Sequence, residues 1–269
     1  MIRLPDSPLA AETHAGLVGY QQSVDAHPLY PERVKHAKQR FSSLNKKGNP
    51  IFDDVKVTLT KMCSGARRCA YCEDSVADQV EHFRPKSLYP EFVFAWMNYL
   101  YACSTCNLRK NDHFAVFAHG TGVLTQVNRA RNAPVVPPAS GDVVFIDPRV
   151  EDPTAYLHLD LLDTFYFLPR AKAGTVEHAR AEYTIRELQL NIRDWLPQAR
   201  RAAYLDYLAH LKCYLRDKSA GMPQSHLDQL KKHLQVRQHP SVWVEMKRQH
   251  ASVPQLLVLF AQVPEALDW

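Results

Sequence analysis

"NYLYACSTCNLRK", residues 98–110, closes an apolar run on a Cys-x-x-Cys pair and passes straight into an asparagine and two basic residues. "CAYC" (69–72) supplies a matching pair, and 30 residues lie between Cys72 and Cys103. Two such knuckles put Cys69, Cys72, Cys103 and Cys106 at the spacing of a closed tetrahedral zinc site, with sulfurs about 2.3 Å from the metal. The intervening stretch is longer than in a common zinc ribbon, which leaves room for an inserted element. It contains "QVEHFRPKS" (79–87), with Glu81 and His82 side by side. One structural zinc would therefore clamp Glu81, His82, Asn98 and Asn107 into a small unit. Cys63 and Cys213 have no partner at ligand spacing and read as small buried apolar residues.

Outward from this block, the chain has 269 residues, 46% of them hydrophobic and 23% charged, enough for one large core or two small ones. The net charge of +5 suits a nucleic-acid partner without demanding one. No apolar run approaches the ~20 residues of a membrane span. The opening "MIRLPDSPLAAETHAGLV" lacks the apolar core of a signal peptide. The expected compartment is the cytoplasm, where thiols stay reduced and cysteines serve as ligands rather than disulfides.

"PERVKHAKQRFSSLN" (31–45) has helical spacing, with Val34, Ala37 and Phe41 on one face, and "FDDVKVTLTKMCSG" (52–65) predicts a second helix. Residues 123–141, rich in proline, read as a connecting loop. "DVVFID", "AYLHLD" and "TFYFLP" predict short strands, and "TVEHARAEYTIRELQLN" begins a helical back half. The clearest helix starts at Asp194 as N-cap, carries Tyr204, Leu208, Leu211 and Leu215 on one face, and stops before Gly221. Arg200, Arg201, Lys212 and Arg216 read as its solvated basic rim. The final stretch, "SVWVEMKRQHASVPQLLVLFAQVPEALDW" (241–269), predicts two more short helices.

Phosphodiester hydrolysis needs an activated water, a cation on the phosphate oxygens and a grip on the phosphate. His82 is suited to take the water's proton, and Glu81 with the Asn107 amide oxygen to hold Mg²⁺ or Mn²⁺ as Lewis acid. Asn98 is placed to hold the second nitrogen of the histidine and fix its tautomer. Arg84, Lys86, Arg109 and Lys110 are the nearby phosphate contacts. Glu81 and His82, being strand neighbours, point to opposite faces, so this scheme requires a bend to bring them together. A zinc deaminase is excluded, because its His-x-Glu and Pro-Cys-x-x-Cys signature is missing. No Gly-x-x-x-x-Gly-Lys loop is present, so any nucleotide dependence belongs to another subunit. Without catalysis, the same features describe a zinc-stapled binding module.

The run "CAYC…VEHFRPKS…WMNYLYACSTCNLRK" resembles the HNH, or ββα-metal, endonucleases with zinc-binding knuckles. The resemblance covers about residues 66–113 and rests on Glu81-His82, Pro85, Ser87, Asn98, Cys103, Cys106, Asn107 and Lys110. It implies that Glu81 and Asn107 bind the catalytic metal, His82 is the general base and Asn98 orients it. This chain carries asparagine rather than histidine at the third motif position, which leaves the identity of the metal open. A looser likeness, through "CAYCE", "EHFRPKS", "FIDPR" and "TIRELQLN", is to the bacterial HNH proteins of Septu anti-phage and retron systems, in which the nuclease works with an ABC-type or SMC-like ATPase. The expectation is an α+β, mainly α fold. A zinc-stapled ββα nuclease module (66–117) would sit between an N-terminal helical segment (1–65) and a C-terminal region (118–269) of short antiparallel strands and then helices.

Overall fold

Three helices open the chain in the computed structural model, which describes residues 1–269: α1 (Ala11–Asp25), α2 (Tyr30–Leu44) and α3 (Pro50–Met62). Both α2 and α3 carry proline in their first turn, where no amide hydrogen is needed. The Asn49 side chain caps α3 by accepting from the amides of Ile51 and Phe52. Phe52, Val55, Leu59 and Met62 recur at helical spacing and are buried. The sequence pattern does not single out α1, because only Thr13, Leu17 and Val24 of that helix are buried.

The next elements run strand, strand, helix. β1 (Gln79–His82) pairs antiparallel with β2 (Tyr99–Ala102), with Gln79 opposite Ala102 and His82 opposite Tyr99, and α4 (Ser104–Lys110) follows at once. α3 packs against β2 from behind. A second antiparallel sheet has the order β4 (Leu124–Gln126), β3 (Ala115–Ala118), β5 (Gly141–Val143). The stretch 123–141 is thus not loop throughout, since its first residues add an edge strand to β3. Gly141 is required where it stands: a Cβ there would lie 2.2 Å from the Phe117 carbonyl oxygen. β6 (Leu157–Leu159) and β7 (Phe167–Pro169) form a small hairpin ladder.

Five helices complete the chain: α5 (Val176–Glu187), α6 (Trp195–Ser219), α7 (Gln224–Gln235), α8 (Pro240–Gln249) and α9 (Pro254–Gln262). The fold is α+β and mainly α, as expected. One hydrophobic core runs from the first helices through the knuckles into this helical half. No helix is long and apolar enough to cross a membrane. Asp194 caps α6 through its carboxylate on the Trp195 amide, and Gly221 lies just past the end at a φ of +71°. Tyr204, Leu208 and Leu211 are buried on the expected face.

Arg200 corrects the expectation of a solvated basic rim. It is completely buried in the apolar stripe between Leu196 and Tyr204. Its guanidinium donates to the carbonyls of Phe165 (2.9 Å) and Leu190 (2.6 Å) and lies over the Phe167 ring. Burial lowers its pKa to about 10, which leaves it ionised at neutral pH. Both carbonyls belong to irregular segments that have no ladder to satisfy them, so this side chain fastens α6 to the stretch before it. Arg200→Met should cost roughly 2–4 kcal/mol in denaturant unfolding, because two buried carbonyls lose their donor. Lys212→Ala, on the exposed face of the same helix, should stay within ~0.5 kcal/mol. Equal effects of the two changes would refute this role for Arg200.

Candidate metal centre and active site

The first knuckle is built from tight turns. The Ser75 carbonyl accepts from the Cys69 amide, the Cys69 carbonyl accepts from the Glu73 amide, and Glu73 takes a left-handed φ of +60°. The Ala70 amide donates to the Tyr101 carbonyl at 3.0 Å, which ties this knuckle to β2. The second knuckle spans the start of α4, where the Cys103 sulfur is the N-cap and accepts from the Cys106 amide at 3.4 Å. The Tyr71 amide donates to the Cys69 sulfur in the same way. All four sulfurs are buried and lie within 4.8 Å of one another. A compact, buried, all-sulfur set with amide donors on its sulfurs fits a tetrahedral soft ion such as zinc. Cys63 and Cys213 stand apart from the cluster and are half-buried, and burial pushes the Cys63 thiol up to about 11.

Strand alternation separates the two residues of the Glu-His pair. Gln79 and Glu81 share the face of β1 that meets α4. There the Asn107 amide donates to the Gln79 oxygen at 2.5 Å, and the Lys110 ammonium pairs with Glu81 at 2.7 Å. Glu81 is 4% exposed, and burial raises its pKa against the opposing pull of Lys110. Asn107 and Lys110, three apart on the helix, thus engage two residues two apart on the strand. The arrangement brings Glu81 and Asn107 to one strand–helix seam.

His82 faces the other way, into aromatic packing. Its ring lies edge-on to Phe41, with centroids 4.3 Å apart, and to Tyr99, at 5.2 Å. The bend that would turn Glu81 and His82 to one point is not present. Nε2 of His82 bonds the Val93 carbonyl at 3.0 Å. A carbonyl only accepts, so Nε2 carries the proton and Nδ1 keeps the basic lone pair. Burial, reinforced by Lys86, holds the imidazole well below its ordinary pKa and therefore neutral.

The expected bond from Asn98 to His82 is absent. Instead the Asn98 oxygen accepts from the Arg84 amide at 2.7 Å, while its nitrogen donates to the carbonyls of Arg84 and Phe92. Asn98 pins both ends of the segment after β1 and acts on His82 only through the backbone that presents Val93. Both polar ends of the Asn98 amide are taken up by that backbone, and the Val93 carbonyl meets the histidine ring instead.

The four basic residues divide in the same way. Arg109 is exposed on α4. The Arg84 guanidinium lies over the rings of Tyr89 and Phe92 and lines a cavity of about 770 Å³ with Phe83, Asn98, Phe145 and Asp147. Lys86 is half-buried, its ammonium 5.4 Å from the centre of the Phe41 ring, and burial lowers its pKa. Lys110 corrects the expectation of a phosphate contact, because it is fully buried between Glu81 and the His82 carbonyl. The sequence does not reveal two further parts. The Val93 carbonyl orients His82, and Arg193 donates through both terminal nitrogens to the Cys106 sulfur at 3.4 Å. Nothing local marks Arg193, which lies 87 residues from the cysteine it touches.

Replacing Cys106 with serine should lower zinc from about one ion per chain to near zero and destabilise the fold, since metal binding is coupled to folding. Serine at Cys63 or Cys213 should leave the metal in place. Elemental analysis of the purified proteins checks this, and a Cys106→Ser protein with unchanged zinc would remove Cys106 from the ligand set.

No protein-family model matches the chain. It is similar to the Septu protein PtuB of Bacillus thuringiensis, with 35% identity over 71 residues. That alignment takes in 24% of this chain and 28% of PtuB, well short of two thirds of the relative's length.

Proposed function

We propose that the chain is a metal-dependent HNH endonuclease that hydrolyses phosphodiester bonds, with DNA as its substrate, and serves as the nuclease of an anti-phage defence system. The observation that carries this reading is the strand–strand–helix unit itself. Glu81-His82 ends β1, Asn107 faces that strand from α4, and four buried cysteines staple the two together. The partial likeness to PtuB supports the setting. Glu81 and Asn107 would hold Mg²⁺ or Mn²⁺, which supplies Lewis-acid stabilisation of the phosphate oxygens when bound; this requires Glu81 to leave Lys110 and the end of β1 to bend toward the His82 side on binding. His82, with Nδ1 free to accept, takes the proton of the attacking water. Asn98 holds the segment that aims it. Arg84, Lys86 and Arg109 take the phosphate contacts. In this proposal residues 66–117 form the nuclease module and residues 118–269 dock an ATPase subunit of the ABC or SMC-like type.

A second reading has a specific observation in its favour. Glu81 is committed to Lys110, and His82 is only 3% exposed, as structural residues of a zinc-stapled binding module would be. The two readings separate on cleavage by the parent, and one variant tests the base. His82→Phe preserves a ring against Phe41 and Tyr99 but removes the basic nitrogen. With plasmid DNA and Mg²⁺ or Mn²⁺ it should lose at least ~100-fold in cutting rate, with zinc content and melting temperature retained. EDTA should abolish cutting by the parent, and RNA run in parallel tests the choice of substrate. A parent that leaves plasmid DNA and RNA uncut with either ion would decide for the binding module, and a His82→Phe protein that cuts as fast as the parent would remove His82 from the general-base role.

The partner is tested separately, by affinity recovery of the full chain at native levels from its host. An ATPase should accompany it, and deleting residues 222–269 should release that ATPase. Recovery of the chain alone, fully active without ATP, would establish a stand-alone nuclease.

A further inference from the structure

Four thiolates around one divalent ion carry two net negative charges, and here they are buried. A buried dianion needs cations close by, because low-dielectric surroundings screen it poorly. None of the four cysteines has a lysine or arginine near it in sequence that the structure turns onto its sulfur. The cation comes from the connection between α5 and α6. Arg193 is 5% exposed and places both terminal nitrogens 3.4 Å from the Cys106 sulfur. It takes part in none of the carboxylate pairs that the other arginines make. Its remaining donors go to the carbonyls of Gln189 and Leu188. An arginine stays charged in a protein, so this one is a buried cation whose one side-chain hydrogen-bond partner is the Cys106 sulfur, a thiolate in the zinc reading. Arg200, fully buried nearby on α6 and likewise without a carboxylate pair, adds a second positive charge at longer range.

Building on the zinc reading of the four cysteines, we infer that Arg193 is the counter-cation of the metal centre, a positioning residue that stabilises the Cys106 thiolate as a ligand. The fork shape of the guanidinium suits this role, since two N–H groups converge on one sulfur while the charge spreads over a plane. Because Arg193 leads into α6, the helical half supplies part of the metal's electrostatic environment. The knuckles hold the sulfurs in place, and residues 188–193 make their charge tolerable.

The test compares the full-length parent with Arg193→Met and Arg193→Lys. Zinc affinity is measured by competition with a chelator of known strength, and the cobalt-substituted proteins are read by absorption. Arg193→Met should bind zinc 10–100-fold more weakly, the usual range for loss of an outer partner of a metal ligand. Its sulfur-to-cobalt charge-transfer band should move to lower energy, because the sulfur lone pair loses a cation and two donors. Arg193→Lys should recover part of both. A purely structural arginine would lower the melting temperature through the Leu188 and Gln189 carbonyls yet leave affinity and band unchanged, and that result overturns the inference. If Arg193→Met fails to fold, Arg193→Gln, which keeps a donor without the charge, is judged by the same two readouts. A parent that holds no zinc overturns the metal reading itself. A parent whose zinc is indifferent to residue 193 overturns this inference alone.

Discussion

Four sulfurs confined within 4.8 Å join three pieces of chain at one point: the turn at 69–72, the end of β2 and the first turn of α4. β1 and β2 are each four residues long, and α4 has seven. Elements this short are marginal alone, since a helix below ~12 residues does not persist in water and an isolated hairpin is scarcely stable. The hairpin gains burial from α3 behind it, but the angle of α4 against β1 is set at the knuckles. That angle brings Asn107 to Gln79 and Lys110 to Glu81. The geometry of the candidate site therefore follows from the cysteine cluster.

A second theme is the use of buried cations to satisfy backbone carbonyls in irregular segments. Lys110 reaches the His82 carbonyl, Arg149 the Tyr99 carbonyl at 2.9 Å, and Arg200 those of Phe165 and Leu190. Arg193 does the same for Leu188 and Gln189 while facing Cys106. Much of this protein is connection rather than ladder, and an unpaired buried carbonyl is costly. A long side chain with several donors reaches such groups where regular structure cannot. Each cation also needs compensation, which Glu81 gives to Lys110 and the sulfur cluster gives to Arg193. The charges around the centre and the packing around the loops are one system.

For the candidate chemistry, the separation of Glu81 from His82 matters most. Alternation along β1 sends the carboxylate to the α4 seam and the imidazole to the Phe41 and Tyr99 rings. The histidine has its tautomer fixed by a backbone carbonyl, a rigid partner whose position depends on the whole 83–98 segment. Asn98, by clamping Arg84 and Phe92, sets that position from a distance. Orientation by the main chain leaves little freedom at Nε2 and places all the basicity at Nδ1.

The sequence by itself determined what depends on spacing along the chain. Two Cys-x-x-Cys pairs specify a four-sulfur cluster because knuckle geometry is local. The α2 and α3 helices follow from apolar periodicity, and the end of α6 from Gly221, because caps and helical faces are also local. Mainly helical content with a few short strands was readable for the same reason. Only the tertiary structure decided which polar groups meet. Asn98 looked like a partner of His82 and is a clamp on the backbone. Lys110 looked like a phosphate contact and is the buried partner of Glu81. Arg200 looked like surface and is core, and Arg193, with no motif around it, faces a cysteine 87 residues away. Charged side chains are long and their partners non-local, so their burial depends on which carbonyls and anions the fold leaves unpaired, and no periodicity in the sequence records that.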